Sequence, residues 1–400
     1  MKKWMIIAAA AVLGALAGCQ KGNSNMEARA AAYQRWYRAR ATVLCGVSAE
    51  YLKSGQLDNA VKSAREAIAL DQECTEAHRL LGKAYIEQGQ YAPAMEELGI
   101  ACRQKDDSAE SAYLLGVAQE KAGRLGEALA SYRRARQLDE THVDAVVAAG
   151  EVLVQMDRLE EAQSYIEFNL QTAGECPAIY ELAGRLAMMR KEFATAAERY
   201  QRACDMDVKN LRYVESLAQA HRLAGQYERA VEVLTDLAAR EEYARTAWVH
   251  TMLGDCLLAM DRPAEAREAY YRAKDIAPDS AEAWVNLAKA LLACRETPRA
   301  AAAAREAVRL QPDSTEATGL LGYALLSNGQ VEEAMEVLAG AVGKHPSDVT
   351  LQCLLGRAHE LSGDEVQAGR CYAAAMDSNP RSLLARELAG LEGPSNGSRD

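Results

Sequence analysis

The fold is decided by residues 281–314, which read AEAWVNLAKALLACRETPRAAAAAREAVRLQPDS. Leu287 and Leu291 lie four residues apart, so they share one face of a helix. The small residues Ala300 and Ala307 would let a second, antiparallel helix approach the first one closely. Pro312 cannot continue that second helix and closes the unit. The stretch therefore predicts a helix, a turn and a second helix.

The same spacing recurs along the chain with a period of 34 residues. Alanine marks one register ten times, with a two-residue insertion after the sixth: Ala60, Ala94, Ala128, Ala162, Ala196, Ala230, Ala266, Ala300, Ala334 and Ala368. Twelve residues before most of these alanines stands a glycine: Gly82, Gly116, Gly150, Gly184, Gly254, Gly322 and Gly356. A self-similar period of this length is typical of a solenoid of stacked units.

The pattern resembles the tetratricopeptide repeat, a helix-turn-helix unit of 34 residues. The resemblance implies an all-α, right-handed superhelical solenoid of about ten repeats, from about Ala41 to about Ser382. Residues 26–40 are expected to form an N-terminal helix that runs into the first repeat. Residues 383–391 are expected to form a capping helix, and the tail to residue 400 to be disordered. The insertion near Tyr243–Arg245 predicts a lengthened helix that starts near Trp248.

Residues 1–18 have the pattern of a signal peptide. Lys2 and Lys3 precede the uncharged run Trp4–Leu16, which is too short to span a bilayer comfortably. The run ends in Leu-Ala-Gly-Cys at Cys19, which resembles the lipobox of bacterial lipoproteins. The resemblance implies lipidation of Cys19, a polar tether over residues 19–25, and the periplasmic face of an outer membrane if the cell has two membranes. The alternative is an ordinary secreted protein with a coincidental cysteine.

Composition and motifs disfavour nucleic-acid binding and catalysis. The formal net charge is −11, whereas nucleic-acid binding depends on clustered Lys and Arg. The sequence contains no P-loop, H-E-x-x-H, G-x-S-x-G or EF-hand pattern. His78, His221, His250 and His359 fall at registers where helices pack, so we expect core histidines and no metal site. The sequence therefore predicts no enzyme and no cofactor.

Nine cysteines remain besides Cys19. Three pairs within single repeats are candidate disulfides in an oxidising envelope: Cys74 with Cys102, Cys176 with Cys204, and Cys353 with Cys371. The alternative is that these residues are small apolar core residues. Cys256 has an alanine-like packing register, and Cys45 and Cys294 have no evident partner.

The resemblance also implies a partner-binding groove lined by the second, fifth, ninth, twelfth and thirteenth residues of each repeat. The candidate groove residues are Arg79, Lys83, Tyr113, Val117, Val147, Val154, Arg185, Met188, Arg222, Trp248, Tyr323 and Arg357. Aromatic and arginine side chains are frequent hot spots of peptide recognition. The Lys/Asn carboxylate clamp of chaperone-binding members is not reproduced.

These features predict a lipid-anchored adaptor that holds a peptide segment of an envelope protein, without catalysis. Lipoproteins of similar architecture serve pilus or secretin assembly, polysaccharide export or the docking of cell-wall enzymes. Two alternatives stay open: a structural protein whose array associates with a second copy through residues 383–391, and a glycan-binding accessory of an envelope enzyme.

Overall fold

The computed structural model describes residues 29–382 apart from 105–107 and 173–175, and the side chains of residues 171 and 172. This part of the chain consists of helices joined by short turns and contains no strand. The signal peptide, Cys19 with its tether, the start of the N-terminal helix at 26–28 and the capping segment from 383 onward lie outside it. Their assignments stay predictions.

Each repeat contributes a first helix, here the A helix, and a second, the B helix. The A helices are α1 (described from 29 to 53), α3 (Thr75–Glu87), α5 (Ala109–Lys121), α7 (Val143–Gln155), α9 (Pro177–Met189), α11 (Leu211–Leu223), α13 (Ala247–Ala259), α15 (Ala281–Ala293), α17 (Thr315–Ser327) and α19 (Val349–Leu361). The B helices are α2 (Leu57–Leu70), α4 (Tyr91–Ala101), α6 (Leu125–Leu138), α8 (Leu159–Thr172), α10 (Phe193–Met206), α12 (Tyr227–Ala238), α14 (Pro263–Ile276), α16 (Thr297–Leu310), α18 (Val331–Lys344) and α20 (Glu365–Ser378). The predicted all-α repeat architecture is confirmed.

The chain forms two compact units. The first comprises residues up to 191 together with 202–208, and the second comprises 192–201 together with 209 onward. Inside each unit, the two helices of one repeat pack together, as α5 with α6 and α15 with α16 do, and B helices also pack against the following A helix, as α6 against α7 and α16 against α17. The core of the second unit is rich in alanine and leucine and runs from Leu257 to Ala358.

The register glycines receive a large side chain from the residue sixteen positions later. A Cβ added at Gly322 would lie 2.5 Å from Cδ2 of Leu338. The same relation joins Gly116 to Tyr132 and Gly254 to Tyr270, each at 2.6 Å from the tyrosine ring. Glycine at these A-helix positions leaves room for a leucine, isoleucine or tyrosine of the B helix, which packs directly against the A-helix backbone.

The turn between A and B helices requires a residue in the left-handed region. Six repeats place glycine there, the residue that adopts this conformation most easily: Gly55, Gly89, Gly123, Gly225, Gly329 and Gly363. In four other repeats the same conformation, with φ between 55° and 61°, is held by Asp157, Lys191, Asp261 and Arg295. The turn geometry is therefore kept even where the residue is strained.

The two-residue insertion lengthens a turn and not a helix, so the prediction of a longer α13 was wrong. That helix has 13 residues like its counterparts, and α12 ends early at Ala238. The extra residues are absorbed because the backbone N–H groups of Tyr243 and Ala244 bond to the Arg240 carbonyl. The Tyr243 hydroxyl donates to Glu215, and its ring meets Trp248 edge-on at 6.2 Å.

Three of the four histidines predicted at packing registers are buried, whereas His359 is half-buried. His78, His221 and His250 are 3–6% exposed, and Nδ1 of His78 lies 2.6 Å from a Glu97 carboxylate oxygen. Burial lowers the pKa of His221 and of His250, because the charged imidazolium is poorly solvated inside the helix pairs.

We predict opposite effects for two glycines three residues apart in α17. Gly319→Ala should stabilise the protein by about 0.5–1 kcal/mol, because alanine favours the helix and its Cβ would lie 3.7 Å from Leu354. Gly322→Ala should destabilise it, because overpacking against Leu338 costs about 1–3 kcal/mol. Urea midpoints that move in the same direction for both variants would contradict this packing.

We predict that stability falls when the pH drops below about 6.5. The unfolded chain then takes up protons on His221 and His250, whereas the folded chain does so only at lower pH. The urea midpoint should decrease between pH 7.5 and 5.5, and by a smaller amount in a His221→Gln, His250→Gln variant. An equal decrease in both proteins would exclude these histidines as the cause.

Candidate functional site

The A helices of neighbouring repeats contact one another, as α3 and α5 do in the first unit and α17 and α19 in the second. Side chains at the second, fifth, ninth, twelfth and thirteenth A-helix positions therefore lie along a shared surface, here called the A-helix groove. Ten of the twelve predicted groove residues are half-buried, and Tyr323 and Arg357 are exposed. The two units are described separately below.

The basic groove residues of the first unit are engaged by acidic neighbours. Arg79 forms ion pairs with Glu76 at 2.6 Å and Glu110 at 3.8 Å. Arg185 bonds to Glu151 at 2.9 Å across one repeat. A partner would therefore compete with these carboxylates for both guanidinium groups. Lys83 is half-buried beside Arg79, one turn further along α3.

The apolar groove residues of the first unit pack against the core beneath them. Tyr113 lies 5.7 Å from the Tyr132 ring and 5.0 Å from the His142 ring. Burial raises the pKa of Tyr113, and the surrounding carboxylates, with Asp144 first among them, add to the increase. Val117, Val147 and Val154 are partly buried on the same cluster. These residues form an apolar part of the A-helix groove. Met188 is half-buried on α9.

In the second unit, Arg222 and Trp248 line one small pocket of about 290 Å³. Asp255 and Glu282 stand in its wall. The Nε atom of Arg222 is buried and has no hydrogen-bond partner among the described residues. The pocket combines a cation, two carboxylates and an indole with alanine and methionine side chains, so polar and apolar groups share its lining equally.

A larger and more apolar cavity lies between α17 and α19. Its volume is about 880 Å³, within the range of ligand pockets. The predicted groove residues Tyr323 and Arg357 both line it. Its apolar wall is completed by Leu320, Tyr323, Leu326, Leu354 and Leu361. Tyr323 and Leu361 remain 52% and 48% exposed, so this part of the A-helix groove offers apolar surface to solvent.

The charged rim of this cavity is already paired. Lys289 forms an ion pair with Glu316 at 2.6 Å, and Arg357 with Glu360 at 2.8 Å. The Asp348 carboxylate accepts from the Leu351 N–H at the start of α19. The cavity therefore presents mainly apolar surface to a ligand. The charged groups at its rim are neutralised by their ion-pair partners.

The groove prediction missed Gly319, which opens the floor of this cavity. It occupies the fifth A-helix position, where Tyr113 and Val147 stand in other repeats. Leu354 and Leu361 were also missed. The sequence could have predicted this cavity. Gly319 and Cys353 are the fifth A-helix residues of the last two repeats, and both side chains are small, so they leave space at the groove surface.

The described residues contain no cluster of His, Cys, Asp or Glu that could hold a metal ion. No helix within the same residues is long and apolar enough to cross a bilayer.

The structure shows a cysteine contact that the sequence analysis did not predict. The Sγ atoms of Cys45 and Cys74 lie 3.7 Å apart. Cys45, which had no evident partner in the sequence, therefore lies beside a second thiol. Cys102 packs in another cluster, with Ala112 and Ala135, because it ends α4 and faces the next repeat. The pairing of Cys74 with Cys102 stays a prediction.

The other two cysteine pairings stay predictions. Cys176, Cys353 and Cys371 carry free thiols in the structure, and Cys204 is buried. Cys256 is fully buried, as predicted, and burial raises its pKa to about 11.

We predict that Cys74 is the most acidic of the described thiols. The hydrogen bond from Cys45 lowers the pKa of Cys74 to about 6, so its thiolate should be alkylated by iodoacetamide at neutral pH. Cys45→Ala should move this reactivity toward the ordinary thiol range near pH 8.5. Peptide mass spectrometry over pH 5–9 measures both. Identical pH profiles for Cys74 in the two proteins would contradict the thiol pair.

Two sequence models described as tetratricopeptide repeat match the chain. One matches residues 51–117 and 120–186, and the other 96–142, 216–281 and 285–349. Together these matches cover well over half of the chain. The protein therefore belongs to the tetratricopeptide repeat family, whose members mediate protein–protein interactions and are generally not enzymes.

Curated relatives share only part of their length with this chain. Lipopolysaccharide assembly protein B of Escherichia coli strain K12 is 24% identical over 128 residues, which are 32% of this chain and 33% of that protein. Superkiller complex protein 3 of Mus musculus is 28% identical over 148 residues, 34% of this chain and 10% of that protein. The chain thus spans a third or less of these relatives.

Solved structures of similar fold include PilF of Pseudomonas aeruginosa, with 19% identity and a TM-score of 0.44 over 50% of this chain and 92% of that one. YrrB, described as a TPR protein with an unusual peptide-binding site, has 20% identity and a TM-score of 0.37 over 43% of this chain and 89% of that one. These likenesses concern the helical repeats.

Proposed function

We propose that this protein is a lipid-anchored scaffold of the cell envelope that holds an apolar segment of another envelope protein in its A-helix groove. The observation that carries the proposal is the open apolar cavity between α17 and α19. Tyr323 and Leu361 are exposed beside that cavity, and a role as a simple spacer would not explain this exposed apolar surface, whereas binding of an apolar segment does.

The cavity fits a side chain or helix face that is apolar and not charged. Burying apolar area yields about 25 cal/mol per Å², so the leucines around Tyr323 supply binding energy without a charged anchor. The rim pairs Lys289–Glu316 and Arg357–Glu360 are exposed, and such pairs contribute little energy. They would orient a segment more than they would bind it.

The envelope assignment rests on two further observations. The N-terminal residues carry the lipobox-like Leu-Ala-Gly-Cys that ends at Cys19. One relative is, by its name, an assembly protein for lipopolysaccharide, a component of the envelope. Both favour a place at the membrane, with Cys19 as the lipidated residue and an envelope protein as the partner.

Site-specific photo-crosslinking in the native cells tests this proposal. A photoreactive residue at Leu354 lies in the cavity wall, whereas one at Val366 lies exposed on the B helix α20. We predict crosslinks to one or a few envelope proteins from position 354 and none of the same products from position 366.

A pair of glycine variants provides the matched control. Gly319→Leu should place its side chain in the cavity and lower the yield of these crosslinks about tenfold, the equivalent of about 1.4 kcal/mol. Gly340→Leu makes the same change on the exposed face of α18 and should leave the yield unchanged. Equal yields in both variants, or crosslinks only to a second copy, would overturn the proposal.

A further inference from the structure

The N-terminal half of α1 carries an unusual surface that the A-helix groove does not use. Only 6% of the chain is aromatic, yet Tyr33, Trp36 and Tyr37 fall within five residues. They are exposed by 64%, 51% and 41% respectively. Val43 and Val47 continue the exposed apolar surface along the helix, at 66% and 39%. Single exposed apolar residues are ordinary, but a continuous exposed row usually marks a binding surface.

These side chains form one stripe along the helix. The residues at 29, 33, 36, 40, 43 and 47 are spaced by four and three in alternation, so they share one face. The core-facing residues Ala41, Cys45 and Ser48 lie on a different face and are at most 4% exposed. The exposed stripe is therefore separate from the packing of the first repeat. It is here called the α1 stripe.

The α1 stripe is also basic. Residues 28–49 contain Arg29, Arg35, Arg38 and Arg40 and no acidic residue or lysine, which gives +4 in a chain of net charge −11. Arg38 points away from the stripe, toward Asp71 and Glu73 at 3.8 and 3.6 Å. In the described part of the chain no salt bridge involves the other three. The Arg40 guanidinium lies 5.4 Å from the centre of the Trp36 ring.

We propose that the α1 stripe lies on an anionic phospholipid surface. Tyrosine and tryptophan favour the depth of lipid headgroups, and arginines near such a surface are attracted by its negative potential. A basic helix with aromatic residues on one face has the character of an interfacial helix. The proposal is independent of what the A-helix groove binds.

The surrounding sequence favours a bilayer over a second copy as the occupant. Cys19 precedes the first described residue by ten positions, a distance of about 35 Å at most when extended, so the proposed anchor would keep a bilayer within reach. A second copy of the stripe would bring its own Arg29 and Arg40 against the same two arginines of the first copy, and like charges repel. Anionic lipid supplies the complementary charge.

Tryptophan quenching by brominated lipids tests the inference. The chain from Gln20 onward, without the predicted signal peptide and Cys19, is mixed with phosphatidylcholine vesicles that contain either no phosphatidylglycerol or about a third of it, with bromine on the acyl chains. The signal of Trp36 is the difference between this chain and its Trp36→Phe form. Trp284, whose indole N–H donates to the Pro278 carbonyl at 2.8 Å in the repeat array, provides the internal control through Trp284→Phe.

We expect strong quenching of Trp36 in the anionic vesicles and little quenching of Trp284. Replacement of Arg29 or Arg40, the two arginines on the α1 stripe, by Gln should weaken vesicle binding about fivefold for each arginine, the equivalent of about 1 kcal/mol. Arg38→Gln, which removes the same charge from the other face, should have a smaller effect.

Equal quenching of Trp36 and Trp284, or quenching of Trp36 that does not depend on phosphatidylglycerol, would overturn the inference. So would a mass that doubles with protein concentration in the absence of vesicles and returns to the monomer value in the Trp36→Phe form, because the stripe would then bind a second copy. The groove crosslinks are measured separately, so this test can fail while the proposed function stands.

Discussion

The close approach of the two helices in each repeat is the constraint on which the rest of the structure depends. A large side chain of the B helix rests directly on the A-helix backbone, at a position where even a methyl group would overlap it. Leu338 at Gly322 and Tyr132 at Gly116 show the contact with two different side chains. Where tyrosine is used, its hydroxyl reaches a carboxylate of the A helix, as Tyr132 reaches Glu120 at 2.7 Å. The buried ring therefore keeps a satisfied polar group.

This contact also explains how the A-helix groove arises. Because the small residues hold each pair of helices at one spacing, A helices of successive repeats come into contact, and their outer positions form a surface. The repeat with Ala288 in place of glycine has Ala304 sixteen residues later, and both are fully buried. A slightly larger residue on one helix is matched by a smaller one on the other. In another repeat Ala218 replaces the glycine while the residue sixteen positions later is Leu234, and both are fully buried, so this second repeat holds the added methyl group without a smaller partner.

The sequence was sufficient for the fold because each repeat is specified by local signals. Spacing, turn residues and closing prolines recur often enough to predict the helices and to show where Lys191 replaces the turn glycine. The position of the insertion near Tyr243 was mispredicted, because the repeat spacing shows that two residues are added but not whether they lengthen a helix or a turn. Only the contacts of Tyr243 with Glu215 and Trp248 decide between them.

The candidate site was harder to predict because register tells which side chains face the groove but not how much space they leave. Tyr113 and Tyr323 both stand at predicted groove positions, the fifth and the ninth of their A helices. Tyr113 is packed between the rings of Tyr132 and His142, whereas Tyr323 borders a cavity. The space beside Tyr323 exists because its neighbour Gly319 has no side chain to fill it. The contact between Cys45 and Cys74 was missed for a similar reason, since it joins two successive repeats and the pairs were sought within one.

Oxidative footprinting of Tyr323 tests most directly the claim that the cavity is an occupied binding site. Hydroxyl radicals modify exposed aromatic side chains, and Phe168, 65% exposed on α8, serves as a reference in the same molecule. In the purified protein both residues should be oxidised. In intact cells Tyr323 should be protected relative to Phe168. Equal oxidation of Tyr323 in cells and in the purified protein would contradict the account, because the cavity would then be empty where the protein works.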